Sequence, residues 1–85
     1  MAKAKNKVIS GDYPFYKVKT MLGLVSMAFG NIIFYLDNTT VESYKVVIDG
    51  NITGVYQVAI DFKDGKRSLI EVDDKIYKLI VKRCF

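Results

Sequence analysis

The chain of 85 residues has no histidine, no tryptophan, one proline and one cysteine. Without histidine it lacks the commonest general base near neutral pH. A single cysteine forms no internal disulfide, and as a nucleophile it would have no histidine to activate it. With no histidine and only one cysteine as metal ligands, the chain could form only an oxygen-based metal site, and no calcium-loop pattern is present. We therefore expect a non-enzymatic protein that needs no metal and no cofactor.

Long hydrophobic runs are also missing. The longest uncharged stretch, residues 20–36, is interrupted by Gly30-Asn31, whereas a membrane helix needs about 20 mostly apolar residues. The N-terminus carries Lys3, Lys5 and Lys7, but no apolar core follows it as in a secretory signal. We expect no transmembrane segment and a cytoplasmic location, where one unpaired cysteine stays reduced.

The composition is that of one folded domain. Hydrophobic residues make up 51% of the chain, which is enough for a core and argues against disorder. The net charge is +4, and much of the excess lies in the first seven residues. The expected organisation is a flexible basic N-terminus at residues 1–6 and a single domain at residues 7–85.

Short strands separated by turn residues dominate the pattern. Residues 56–62 alternate strictly, with Tyr56, Val58, Ile60 and Phe62 on one face, which is typical of a half-buried strand. Gly30-Asn31 and Asp64-Gly65 separate apolar runs and predict hairpins, because glycine tolerates a positive φ.

An amphipathic helix is expected at residues 74–84. Asp73 or Asp74 would cap it, and Lys82 and Arg83 suit its C-terminal end. On a helical wheel the apolar arc holds Ile76, Tyr77, Ile80, Val81 and Cys84, while Lys75, Lys78 and Lys82 lie opposite. We expect Ile76, Ile80 and Cys84 to be buried and the three lysines to be exposed.

The predicted class is α+β, mostly β: a small bent antiparallel sheet or barrel of six to seven short strands closed by one C-terminal amphipathic helix. This order resembles small bacterial pleckstrin-homology-like (PH-like) domains over residues 8–85. The alternating strand from Tyr56, the Lys-Asp-Gly-Lys turn, the short strand after it and Asp-Asp-Lys-Ile-Tyr-Lys-Leu-Ile carry the resemblance. It implies that the helix plugs one end of the sheet and that the protein is an interaction module. An SH3-like or other small barrel with an added helix is the alternative.

The PH-like resemblance also implies a candidate phosphate site. Some such domains bind phosphoinositides through basic residues that flank the first hairpin loop, and Lys7, Lys17 and Lys19 have a similar arrangement here. The last position is lysine, which lacks the two-pronged geometry of arginine. A basic module binding phosphate groups of anionic lipid or nucleic acid is therefore the alternative function.

Self-association is the first functional hypothesis. The hairpin from Leu24 to Leu36 carries no charge and no proline, and bare strand edges recruit other strands. Some of its large side chains would then form an apolar surface for a second copy, namely Leu24, Met27, Ile33 and Tyr35. We expect a module that binds a protein partner or forms a homodimer, rather than one that binds nucleic acid; peripheral contact with lipid is a weaker alternative.

Overall fold

The computed structural model describes residues 4–84 and contains seven antiparallel strands followed by one helix. Among residues 4–84, strands hold 53% of the residues and the helix 14%, which confirms the predicted mostly-β class with a C-terminal helix. Residues 1–3 of the predicted flexible N-terminus, and Phe85, lie outside the described residues. The elements are β1 (Lys7–Gly11), β2 (Lys17–Met21), β3 (Leu24–Phe29), β4 (Ile32–Tyr35), β5 (Val41–Ile48), β6 (Val55–Phe62), β7 (Arg67–Asp73) and α1 (Asp74–Cys84).

All seven strands belong to one sheet in the order β4-β3-β2-β1-β7-β6-β5, bent into a half-barrel. Strands β1 to β4 and strands β5 to β7 each pair with their neighbours along the chain. The ladder between β1 and β7 joins the two groups, with Val8 opposite Ile70. Strands β4 and β5 are left as the two edges of the sheet.

The hairpin turns form where the sequence predicts them. Phe29 pairs with Ile32, so Gly30 and Asn31 make a two-residue turn in which Gly30 has a φ of 60°. Gly65, in the β6–β7 turn, has a φ of 88°. Both glycines adopt a left-handed conformation that side chains with a Cβ disfavour.

The helix packs on one face of the sheet through Ile76, Ile80 and Cys84, all buried as predicted. Lys75, Lys78 and Lys82 are exposed, also as predicted. Val81, at the border of the predicted apolar arc, is exposed because the buried stripe follows positions 76, 80 and 84. Within residues 4–84, no helix has the length and apolar character needed to cross a membrane.

The last residues of the predicted flexible N-terminus are bonded to the sheet. The backbone N–H of Lys5 donates to the Glu71 carboxylate at 3.0 Å. The backbone carbonyl of Asn6 accepts from the Val18 N–H at 2.8 Å. Strand β1 begins at Lys7, and Lys5 and Asn6 before it are hydrogen-bonded to β7 and β2 through partners that the local sequence does not show.

Candidate functional site

The three lysines of the predicted phosphate site lie together on one face of the sheet. We call the face turned away from α1 the outer face. Lys17 and Lys19 flank buried Val18, so their side chains lie on the outer face. Lys7 is directly opposite Lys17 across the β1–β2 pair, and Glu71 lies opposite Lys7 on its other side. Two like charges in register repel each other, so this basic cluster does not contribute to sheet stability.

The apolar residues of the predicted self-association surface divide between the two faces. Leu24, Ile33 and Tyr35 are exposed on the outer face. Met27 is wrong as a surface residue: it is 0% exposed and belongs to the core. Its neighbours Ser26 and Ala28 take the outer positions, because successive side chains of a strand alternate between faces.

Cross-strand pairing brings both predicted sites onto the same surface. Lys17 lies opposite Ala28, which in turn lies opposite Ile33. Two residue pairs further along, Lys19 lies opposite Ser26, which lies opposite Tyr35. The outer face of β2 to β4 is therefore basic on β2 and apolar on β4, with the small side chains of Ser26 and Ala28 between them on β3.

Phe15 adds an aromatic side chain that the sequence pattern did not single out. It is exposed, has a φ of 70°, and its ring centroid lies 6.2 Å from that of Phe29. Together with Lys17, Lys19 and Ala28 these rings line a depression of about 290 Å³. The proline at position 14 marked this segment as a loop, but a positive φ at Phe15 has no signature in the sequence.

The two edges of the sheet differ in how they are protected. The β5 edge carries Glu42 and Lys45, and its register with β6 is broken twice. Charges and bulges of this kind discourage pairing with another strand. The β4 edge has the sequence Ile-Ile-Phe-Tyr, pairs regularly with β3, and exposes Ile32, Ile33 and Tyr35. Only β5 carries the usual protection against a further strand.

Cys84 and Asp37 are engaged in structural contacts. Cys84 is buried, and burial, followed by the charge of Asp37, raises the pKa of its thiol to about 11. Asp37 accepts from the backbone N–H of Thr39 at 2.8 Å, and hydrogen bonding by Thr39 lowers the pKa of Asp37. Among residues 4–84, no three histidine, cysteine or acidic side chains converge as metal ligands would.

The aspartates at the helix start have distinct roles. Asp73 accepts from the Ile76 N–H at 2.8 Å, which makes Asp73 the N-cap. Asp74 forms an ion pair with Lys78 at 3.0 Å and accepts a hydrogen bond from the Tyr56 hydroxyl at 3.1 Å. The pKa of Asp74 is lowered, chiefly by the hydrogen bond from Lys78.

No protein-family model, curated protein or solved structure matches this chain. The surfaces of the molecule itself are therefore the basis for inferring its function.

Proposed function

We propose that the protein is a non-enzymatic interaction module that forms a homodimer by pairing strand β4 with β4 of a second copy. The observation that carries this proposal is the difference between the two sheet edges. Strand β5 is bulged and charged, whereas β4 is regular, free of charge and apolar at its exposed positions. The backbone carbonyl of Tyr35 accepts from the Thr40 hydroxyl at 2.7 Å. The remaining backbone donors and acceptors of an edge strand of this kind recruit another strand.

The pairing of β4 with β4 of a second copy is compatible with a two-fold axis between the copies. Antiparallel β4 strands would meet as identical surfaces, with each Ile33 near its counterpart, and the sheet would continue through both copies. The basic strand β2 lies two strands from the edge. Lysines of the two copies would then be five strand spacings apart, about 24 Å. This exceeds the Debye length of about 8 Å at physiological salt, so the positive charges oppose dimerisation only weakly.

Sedimentation equilibrium over a range of concentrations and salt tests the dimer. We expect a dimer whose affinity changes little with added salt, because strand pairing and apolar contact involve no counterion release. Ile33→Lys, at a position that is 61% exposed, should give a folded monomer. Val47→Lys, on the opposite edge at a position that is 54% exposed, is the matched control and should remain dimeric. A wild-type protein that is monomeric at about 100 µM would contradict the proposal.

Phosphate binding is the second candidate function. It is favoured by the register that places Lys7 beside Lys17, with Lys19 on the same face. Within the described residues these three lysines form no ion pair, so their charges are available to a ligand. Glu71, opposite Lys7, weakens the local positive potential.

Soluble phosphate compounds test this second candidate without a membrane. Inositol hexakisphosphate and a short single-stranded DNA should bind with an affinity that falls steeply with salt. Replacing Lys7, Lys17 and Lys19 with glutamine should abolish that binding, whereas Lys63→Gln with Lys66→Gln, in the β6–β7 turn, should preserve it. Equal binding by the two sets of variants would contradict a site at the three lysines.

A further inference from the structure

The β2–β3 turn holds a large apolar residue in a conformation that such residues avoid. Met21 pairs with Leu24, so Leu22 and Gly23 form a two-residue turn. Both have positive φ, 54° at Leu22 and 77° at Gly23. Turns of this kind favour asparagine, aspartate or glycine at the first position. Leucine there strains the backbone.

Burial does not compensate this strain. Leu22 is 92% exposed, and its neighbour Met21 is 74% exposed. Two large apolar side chains therefore project from the end of one hairpin into solvent. Neither the strained backbone nor the exposed apolar side chains stabilise the fold, so together they indicate a functional role for this turn.

The helix presents a row of lysines beside this tip. A groove of about 470 Å³ lies between them, and its lining includes Met21, Leu22, Leu79, Lys75, Lys78 and Lys82. Lys78 is paired with Asp74 at 3.0 Å, but its side chain is still 73% exposed. Among the described residues that line the groove, none is acidic and none is aromatic.

One hydrogen bond ties the tip to the helix. The Nε of Arg83 donates to the backbone carbonyl of Gly23 at 3.2 Å. The turn and the last part of α1 are thus held together, so the apolar tip and the lysine row act as one surface. We call this surface, formed by Met21, Leu22, Lys75, Lys78 and Lys82, the hairpin–helix surface.

We propose that the hairpin–helix surface docks the protein on an anionic phospholipid bilayer. Met21 and Leu22 enter the boundary between headgroups and acyl chains, where apolar side chains leave water. The three lysines lie at the headgroup level and are attracted by anionic lipid. The positive charges of Lys75, Lys78 and Lys82 favour a negatively charged partner. The lack of aromatic rings disfavours single-stranded nucleic acid, which binds by stacking its bases on such rings.

The hairpin–helix surface includes no residue of β4 and none of Lys7, Lys17 and Lys19. The docking proposal can therefore be tested independently of the functions proposed above. Cosedimentation with vesicles tests it directly. The wild-type protein should bind vesicles of phosphatidylcholine mixed with phosphatidylserine, and should bind pure phosphatidylcholine vesicles far more weakly. A wild-type protein that ignores the anionic vesicles overturns the proposal.

Substitution of Leu22 separates docking from folding. Leu22→Asn removes the apolar side chain and places at this turn a residue that tolerates positive φ. Vesicle affinity should fall by about tenfold or more, while the thermal midpoint stays equal or rises. Ile52→Asn is the matched control, because Ile52 is also 92% exposed but lies in the β5–β6 loop. Equal loss of binding in the two variants, or wild-type binding by Leu22→Asn, overturns the assignment.

The lysine row has its own test. Lys75→Gln combined with Lys82→Gln should weaken binding to the anionic vesicles about 25-fold, since each lysine near a charged bilayer contributes about fivefold. Lys63→Gln with Lys66→Gln removes the same charge from the β6–β7 turn and should have a much smaller effect. If the two pairs of substitutions have the same effect, only net charge matters and the hairpin–helix surface is not the docking site.

Discussion

Asn6 and Asp73 are joined by two hydrogen bonds. The side-chain oxygen of Asn6 accepts from the backbone N–H of Asp73 at 2.9 Å, and its amide nitrogen donates to the Asp73 carboxylate at 3.2 Å. The other carboxylate oxygen of Asp73 accepts from the Ile76 N–H. Asn6 therefore helps to hold the residue that caps α1, and it connects the start of β1 to the start of the helix.

Removal of this cap should destabilise the domain measurably. Asp73→Ala leaves the Ile76 N–H without its acceptor and breaks one bond to Asn6, so we expect a loss of about 1–2 kcal/mol. The free energy of unfolding in urea measures it. Lys78→Ala is the matched control, because it removes only the exposed ion pair with Asp74, which is worth about 0.3–0.5 kcal/mol, and leaves the hydrogen bond from the Tyr56 hydroxyl to Asp74 in place. A larger loss for Lys78→Ala than for Asp73→Ala would contradict the capping role of Asp73.

The helix was predictable because its signals are local. A capping aspartate, apolar residues at 76, 80 and 84, and lysines between them all fall within twelve residues of sequence, residues 73–84. Asn6 was not predictable in the same way. Its partner lies 67 positions away in the chain, and a polar residue after several lysines looks like part of a flexible end.

Truncation of a helix residue in the core should be far more damaging than truncation of an exposed one. Ile80 is fully buried, so Ile80→Ala leaves a cavity and should cost about 2–4 kcal/mol. Lys78→Ala removes an exposed ion pair and should cost well under 1 kcal/mol. Thermal or urea unfolding of both variants checks the orientation of the helix, which would be wrong if Lys78→Ala were the more destabilising change.

The candidate site was only partly predictable, because β3 is apolar on both faces. Val25 and Met27 alternate with Leu24 and Ala28, so polarity alone did not say which set faces the core, and Met27 was assigned to the surface. The order of the strands in the sheet was not predictable either. The β1–β7 ladder and the edge position of β4 depend on pairing between distant segments, which local periodicity does not encode. The shared surface of Lys17 and Ile33 follows only from that pairing.

The thiol of Cys84 should be unreactive in the folded protein. At pH 8 a thiol with a pKa of about 11 is ionised in roughly one molecule in a thousand, and the thiolate is the reactive form. Labelling with a mild thiol reagent should therefore be slow in buffer and fast in urea. Labelling at the same rate in both conditions would show that Cys84 is not packed in the core.

Two glycines with positive φ should differ in their tolerance of a side chain. A Cβ at Gly11 would clash with the backbone carbonyl oxygen of Arg67, whereas a Cβ at Gly30 would meet nothing within 4 Å. Gly30→Ala should cost about 1 kcal/mol from backbone strain alone. Gly11→Ala must also displace β7, so it should cost clearly more in urea unfolding. Equal losses for the two variants would contradict the close approach of β1 and β7 at this point.

Alkaline pH should weaken the fold through Tyr13. Its hydroxyl donates to Asp64 at 2.6 Å, and burial, reinforced by that hydrogen bond and the charge of Asp64, raises the pKa of Tyr13 from 10.0 to about 12. The folded state thus keeps a proton that the unfolded state loses between these values. The contribution to stability is fully present below pH 10 and is lost as pH rises towards about 12.

The variant Tyr13→Phe cannot ionise at this position, so its stability should decline less than that of the wild type over this pH range. Asp64→Asn keeps the ring but removes the negative charge that opposes ionisation, and it should give an intermediate slope. Urea unfolding of the three proteins at a series of alkaline pH values provides the comparison. Apart from Tyr13 and Asp64, the three proteins have the same ionisable groups, so differences between the curves isolate Tyr13. Parallel curves for wild type and Tyr13→Phe would mean that Asp64 does not hold the Tyr13 proton.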